Sequence, residues 1–131
     1  MARLKAPYFD AYFHAAISGQ APRRFAIVTA HNPRGKKAPV AENRRRERAL
    51  RDRLNKLKVE CFRVTGGNAS GSHREAGWGI VVDSPGHARA LAAEFDQDAY
   101  YWVNAGRIYL GSSAGGRLVR AGSWRKRQAR W

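Results

Sequence analysis

The chain has 131 residues, with 25 Lys and Arg against 10 Asp and Glu, which gives a formal charge of +15 and a sequence pI of about 11.2. That length fits one domain able to bury roughly two thirds of its unfolded surface, and a content of 44% hydrophobic and 11% aromatic residues supplies a core, which excludes wholesale disorder. Cys61 is alone, which excludes a disulfide scaffold; no apolar run approaches the roughly 18 to 20 residues of a membrane span; and Asp10 and His14 break the run Tyr8 to Ile17 that a signal peptide would need. The expectation is a cytoplasmic protein with no membrane contact, whose surplus charge is neutralised by a polyanion.

In chain order, apolar groups at 9, 12, 13, 16 and 17 follow helical spacing, with Pro7 before them and Gly19 as a stop, and predict a short leading helix over 7–18. Arg24 to Ala30 is an apolar run too short for a helix and closed by Asn32-Pro33, so it reads as a first, central strand. A basic loop, Arg34 to Pro39, leads to a long helix from about Ala41 to Lys58. Leu50, Leu54 and Leu57 mark its inner face, and Asn43 and Glu47 extend that stripe toward its start.

A second strand over Val59–Thr65 and a third over Ala76–Asp83 flank the loop Gly66 to Ser72. Ser84-Pro85 predicts a capped start to a helix with Ala88, Leu91, Ala92 and Phe95 inward. Strands four and five, Ala99–Val103 and Arg107–Leu110, turn at Asn104-Ala105-Gly106. Beyond residue 111 the pattern dissolves. Residues 112–131 read as a basic tail, with Arg117, Arg120, Arg125, Lys126, Arg127 and Arg130 and no acid.

The order strand, helix, strand, strand, helix, strand predicts an α/β (α+β) sandwich with a ferredoxin-like split βαβ core over one domain, 1–111, and a sheet order of 2-3-1-4-5. That topology gathers distant polar residues at one edge. His31 and Asn32 follow the first strand and Asn43 stands in the first turn of the long helix; His73 and Glu75 precede the third strand, and Asp96, Gln97 and Asp98 precede the fourth. Lys36 and Lys37 join them, beside the partial positive charge of the helix start.

At these positions the sequence resembles a bacterial family of uncharacterised small domains. The resemblance is carried by Thr29-Ala30-His31-Asn32-Pro33, Asn43, Glu75 and Phe95-Asp96-Gln97-Asp98-Ala99, and spans roughly residues 24 to 110. It implies a shared site that includes Thr29, Asn32, Asn43, Glu75 and Gln97 and carries no reaction with it.

Glu75, His73 and His31 are the candidate acid/base set, since imidazole and carboxylate are the groups that move protons near neutrality. No metal-ligand spacing accompanies them, and neither a metal nor a cofactor is expected. The glycine loop joins two strands and has no lysine, so it is not a P-loop, and Ser70 and Ser72 lack a nucleophile-elbow context. Cys61 beside Phe62 reads as buried and inert. Ala76 to Asp83 partly matches the strand on which RNA-recognition motifs stack bases, through Gly77, Trp78, Gly79 and Val81, which puts RNA ahead of DNA.

Charge gives the broader signal. Residues 34–58 hold eleven Lys or Arg against three acids, and Arg44-Arg45-Arg46 has no alternation of sign. The expectation is nucleic-acid binding, with Arg34, Lys36, Lys37, Arg44, Arg45, Arg46, Arg48, Arg125, Lys126 and Arg127 on phosphates. Two alternatives stay open: a small enzyme acting on a nucleotide-like or phosphorylated ligand at the polar edge, and an adaptor for an acidic protein partner.

Overall fold

The computed structural model describes residues 4–131. It is a mixed α/β structure with two α-helices and one antiparallel sheet of seven strands. The elements are β1 (Tyr12–Ala15), β2 (Arg24–Val28), α1 (Val40–Leu57), β3 (Cys61–Gly67), β4 (Arg74–Ile80), α2 (Pro85–Glu94), β5 (Ala99–Asn104), β6 (Arg107–Ser112) and β7 (Val119–Ser123). In space the strands run β1-β3-β4-β2-β5-β6-β7. The five strands read from sequence therefore stand in the inferred order, with one further strand at each side.

Both added strands correct an expectation. The stretch expected as a leading helix is a 3-10 turn, Ala6–Asp10, followed by β1. Helical spacing of its aromatics was outweighed by the free edge of β3, which β1 pairs from Tyr12↔Gly67 to Ala15↔Val64. The expected tail is likewise part of the sheet: Val119–Ser123 pairs with β6. Past it the chain reaches β1, where the Phe13 amide donates to the Arg127 carbonyl at 2.8 Å and the Ala129 amide to the Phe13 carbonyl at 2.8 Å. A single parallel bridge, Phe13 with Gln128, thus joins the two sides of the sheet.

Period-2 alternation divides the apolar residues between two faces. The helices cover one, where Ala26, Val28, Ile80, Tyr100 and Trp102 meet Leu50 and Leu54 of α1 and Ala88, Leu91 and Ala92 of α2. On the other, Phe13, Phe25, Ile27, Val64, Val103 and Ile108 form a second core, with Trp124 and Tyr101 against it. Phe13 stacks on Trp124 at 5.7 Å and meets Tyr101 edge-on at 5.0 Å, so the segment after β7 completes this face.

The leucine stripe of α1 is shorter than expected. Leu50 and Leu54 are fully buried, whereas Leu57 is 44% exposed in the last turn. Ser84 precedes α2 without making a side-chain cap bond, and Pro85 alone marks that start. The β5–β6 hairpin turns on Ala105 and Gly106, both at positive φ (49° and 79°), the geometry whose twist suits a two-residue hairpin.

Candidate nucleic-acid interface

The inferred polar edge exists, and its residues are engaged with one another. The Asn32 amide accepts from the Ala38 N–H (2.9 Å) and from Asn43 Nδ2 (3.0 Å), and its Nδ2 donates to Glu75 Oε1 at 2.6 Å. Asn43 Oδ1 accepts the Asn32 backbone N–H at 2.9 Å. Thr29 Oγ1 donates to the Ala76 carbonyl at 2.8 Å and accepts from the His31 N–H, while Gln97, 8% exposed, donates from Nε2 to the His31 and Phe95 carbonyls. Thr29, Asn32, Asn43, Glu75 and Gln97 therefore act as a frame. What they frame is the loop 33–39, where Asn32 (φ 50°) and Arg34 (φ 55°) are both left-handed, a conformation that costs roughly 1–2 kcal/mol per non-glycine residue. Side-chain bonds to Ala38 offset that cost and hold Arg34, Lys36 and Lys37 at the surface.

The expected acid/base set is not brought together. His31 lies beside α1, its Nε2 3.6 Å from Glu47 Oε2. His73 is exposed in the β3–β4 loop and offers its backbone N–H to Asn68 Oδ1. Glu75 instead bonds Asn32. Its surroundings come from an element that the sequence pattern concealed. Burial first, then the charges of Asp98 and Glu75, raise the Tyr8 pKa, so the 3-10 turn lies near this edge. A side chain at Gly35 would meet Lys5 Nζ at 3.0 Å and the Tyr8 hydroxyl at 3.7 Å. Tyr101 fastens that turn by donating its hydroxyl to the Tyr8 carbonyl at 2.6 Å.

The run Arg44-Arg45-Arg46 divides. Arg46 is committed internally: Nε donates to the Ala30 carbonyl (2.9 Å), and Nη2 to the Phe95 carbonyl (2.8 Å) and Asp96 Oδ2 (3.1 Å). It is thus a staple between the ends of β2 and α2, with Nε and Nη2 already engaged at the position expected to contact phosphate. Arg45 is exposed. Arg44, Arg48 and Arg51 follow one another at i, i+4 and i+7 and line an open groove with Glu47 of α1 and Arg63 of β3. Arg63 pairs with Glu47 and lies 4.8 Å over the Trp78 ring. Four arginines and one carboxylate thus line the groove. Arg51 and Arg63 were absent from the sequence-based set, although helical spacing from Arg44 points to the first and the β3 position below α1 to the second.

Arg125, Lys126 and Arg127 also part ways. Arg125 borders a second groove, Lys126 is exposed, and Arg127 lies 5.4 Å over the Tyr12 ring. Trp131 turns back onto the glycine loop, donating Nε1 to the Asn68 carbonyl at 2.9 Å, with Arg74 4.5 Å over its ring. Trp78, the aromatic of the RNA-recognition parallel, is half-buried against the helix-covered core of Leu50 and Leu54, with the Arg63 guanidinium over its ring. Burial pushes the Cys61 thiol pKa up and the adjacent Glu60 adds to it, so the thiolate that nucleophilic chemistry needs is disfavoured. Among the described residues no helix is long and apolar enough to cross a membrane.

Residues 28–100, the stretch from β2 through α1 and α2 into β5, match the model of the family described as Protein of unknown function (DUF3293), and the chain belongs to that family. The match contains the whole polar frame and the four-arginine groove, and leaves out β1, β6, β7 and the segment after them. No curated protein and no solved structure matches the chain.

Proposed function

We propose that the protein binds nucleic acid through the phosphate backbone, using the groove between α1 and β3 as its principal contact. The carrying observation is the set Arg44, Arg48, Arg51 and Arg63 lining one groove with the single carboxylate of Glu47. Guanidinium groups bind phosphate bidentately and stay charged at any physiological pH. Side chains at i, i+4 and i+7 extend over about 10 Å of helix, a reach comparable with several phosphates of a strand at one charge per 3.4 Å. The framed loop adds Arg34, Lys36 and Lys37. In this reading the Asn32, Asn43 and Glu75 network positions basic side chains, the central unit is ferredoxin-like, and the protein works in the cytoplasm. With Trp78 half-buried against the helix-covered core, this reading carries no preference for RNA over DNA.

Reversing Arg44, Arg48 and Arg51 together to Glu tests this, with fluorescence anisotropy on a labelled duplex and a matched reversal at Lys56, Arg117 and Arg130 as control. The groove variant is expected to lose about a hundredfold in affinity at moderate salt and the control only severalfold. Equal losses would remove the groove as the principal contact. Binding that ignores salt, or capture of an acidic protein after nuclease treatment with no affinity for nucleic acid, would overturn the reading itself.

A further inference from the structure

A second groove lies apart from the arginines of α1, on the opposite face of the sheet. Its walls are the β1–β2 loop (Gly19 to Arg23), Gly106 of the β5–β6 turn, and Trp124, Arg125 and Gln128 after β7. These walls are tied together: the Ala105 amide donates to the Arg23 carbonyl at 2.9 Å, the Trp124 amide to the Gly106 carbonyl at 2.9 Å, and Gln128 Nε2 to the Trp124 carbonyl at 2.6 Å. Three segments distant in sequence are therefore held in one arrangement before any ligand arrives.

The floor is apolar and rigid. Phe25 and Val103 are buried at 0% and 1% exposure, and the Trp124 indole is fixed edge-to-face against Phe25 at 5.1 Å and stacked on Phe13 at 5.7 Å. Trp124 is nevertheless only half-buried and lines the groove. Both ionisable groups at the groove, Arg23 and Arg125, are cationic and exposed, and no acid joins them. Glycine at 19 and 106 keeps the rim low, with nothing within 4 Å of where a side chain would begin at either position. The groove measures about 490 Å³, within the range of sites for small planar ligands.

An indole packed on Phe13 and Phe25, in a groove that two exposed guanidinium groups also line, complements an unpaired base with a phosphate on each side. A base offers a flat π-surface that an indole accepts regardless of sequence, and its flanking phosphates match the two cations. A paired base hides that surface inside the duplex. We infer that this groove is a subsite for one unstacked base of a single-stranded nucleic acid, with Trp124 beneath the base and Arg23 and Arg125 on the adjacent phosphates. The inference rests on the nucleic-acid reading above and adds to it a preference for single strands that the α1 groove by itself does not create.

Because Arg23 and Arg125 are exposed, Arg23→Ala with Arg125→Ala leaves both cores in place, and an unchanged unfolding midpoint confirms that. Three labelled probes of equal length are compared by anisotropy: a single strand, a duplex, and a single strand carrying abasic sites. The native protein is expected to bind the intact strand about tenfold more tightly than the abasic one. The double variant should weaken both single strands alike, because an abasic strand keeps its phosphates, and leave duplex affinity within about twofold, whereas Arg44→Ala with Arg48→Ala and Arg51→Ala should weaken all three probes alike. Equal binding of intact and abasic strands by the native protein would overturn the base subsite while leaving backbone binding intact. A double variant that loses duplex affinity as much as single-strand affinity would overturn it too. Absence of binding to every probe would remove the nucleic-acid reading and this inference together.

Discussion

At the scale of single residues, adjacent arginines with the same chemistry do unlike things. Arg44 lines the groove, Arg45 is exposed, and Arg46 spends its guanidinium on the Ala30 and Phe95 carbonyls and on Asp96. Asp96 needs that hold, because it stands in the left-handed region (φ 57°) where glycine commonly ends a helix, and the Gln97 amide closes the turn on the Ala92 carbonyl at 2.8 Å. Arg46→Ala would leave the partly buried Ala30 carbonyl without its donor, the Phe95 carbonyl with Gln97 alone, and Asp96 without its closest cation. The expected loss is about 2–4 kcal/mol of folding stability, against a change within roughly 0.5 kcal/mol for Arg45→Ala. Arg46→Lys, which restores the charge without the planar fork, should recover less than half. Urea unfolding of the three variants measures this, and similar midpoints for the Arg46 and Arg45 variants would remove the staple. The sequence carried the presence of this cluster of cations but not its division, since neighbouring positions on a helix differ by a rotation that matters only once the neighbours are known. The polar frame was legible for the opposite reason: Asn32, Asn43, Glu75 and Gln97 each sit at an element end that the strand order fixes.

At the scale of elements, β2 to β6 and both helices were legible because each shows its own periodicity and the connections left one sheet order. β1 and β7 were not, since they depend on partners rather than on pattern: β1 on the edge of β3, β7 on that of β6. The 3-10 turn Ala6–Asp10 is a third case, held onto β5 by Tyr101. Burial raises the Tyr101 pKa well above the usual tyrosine value, and the nearby Tyr8 and Glu75 raise it further. With the folded value raised, the contribution to stability is complete below about pH 10, where the unfolded phenol begins to ionise, and is lost as pH rises beyond it. The native protein should therefore lose up to roughly 1.4 kcal/mol per pH unit from this residue above pH 10. Tyr8 and Tyr100 also carry raised values, so Tyr101→Phe should decline more gently rather than not at all. Chemical unfolding at pH 9 and at pH 11 checks this; parallel declines for the native protein and the variant would show that Tyr101 is not the source. Hydrogen exchange in residues 6–10 of the same variant should quicken at pH 7, because the bond to the Tyr8 carbonyl is gone at every pH.

At the scale of the whole molecule, +15 is too large to be met by internal pairing. Among the described residues the Lys and Arg ion pairs are few: Arg34 and Arg46 with Asp96, Arg53 with Glu94, and Arg63 with Glu47. Most of the remaining charge is exposed, where it repels itself and is relieved by counterions or by a polyanion. The geometry turns that into a number. In the proposed reading Arg44, Arg48, Arg51 and Arg63 in the groove, with Arg34, Lys36 and Lys37 on the framed loop, are seven groups that would meet phosphate. Counterion release then predicts a slope of about −6 for the logarithm of duplex affinity against the logarithm of salt concentration, or roughly a thousandfold or more between 50 and 200 mM. Replacing Arg44, Arg48 and Arg51 with Ala should bring the slope to about −3 to −4, each lost contact taking about 0.9 with it. A diffuse, unstructured attraction behaves differently, since removing three of 25 cations would lower the slope by only about an eighth. Titrations at five or six salt concentrations separate these cases without any knowledge of the natural nucleic acid, and a slope that barely moves in the variant would assign the charge to the surface as a whole rather than to α1 and the loop that the Asn32 network holds before it.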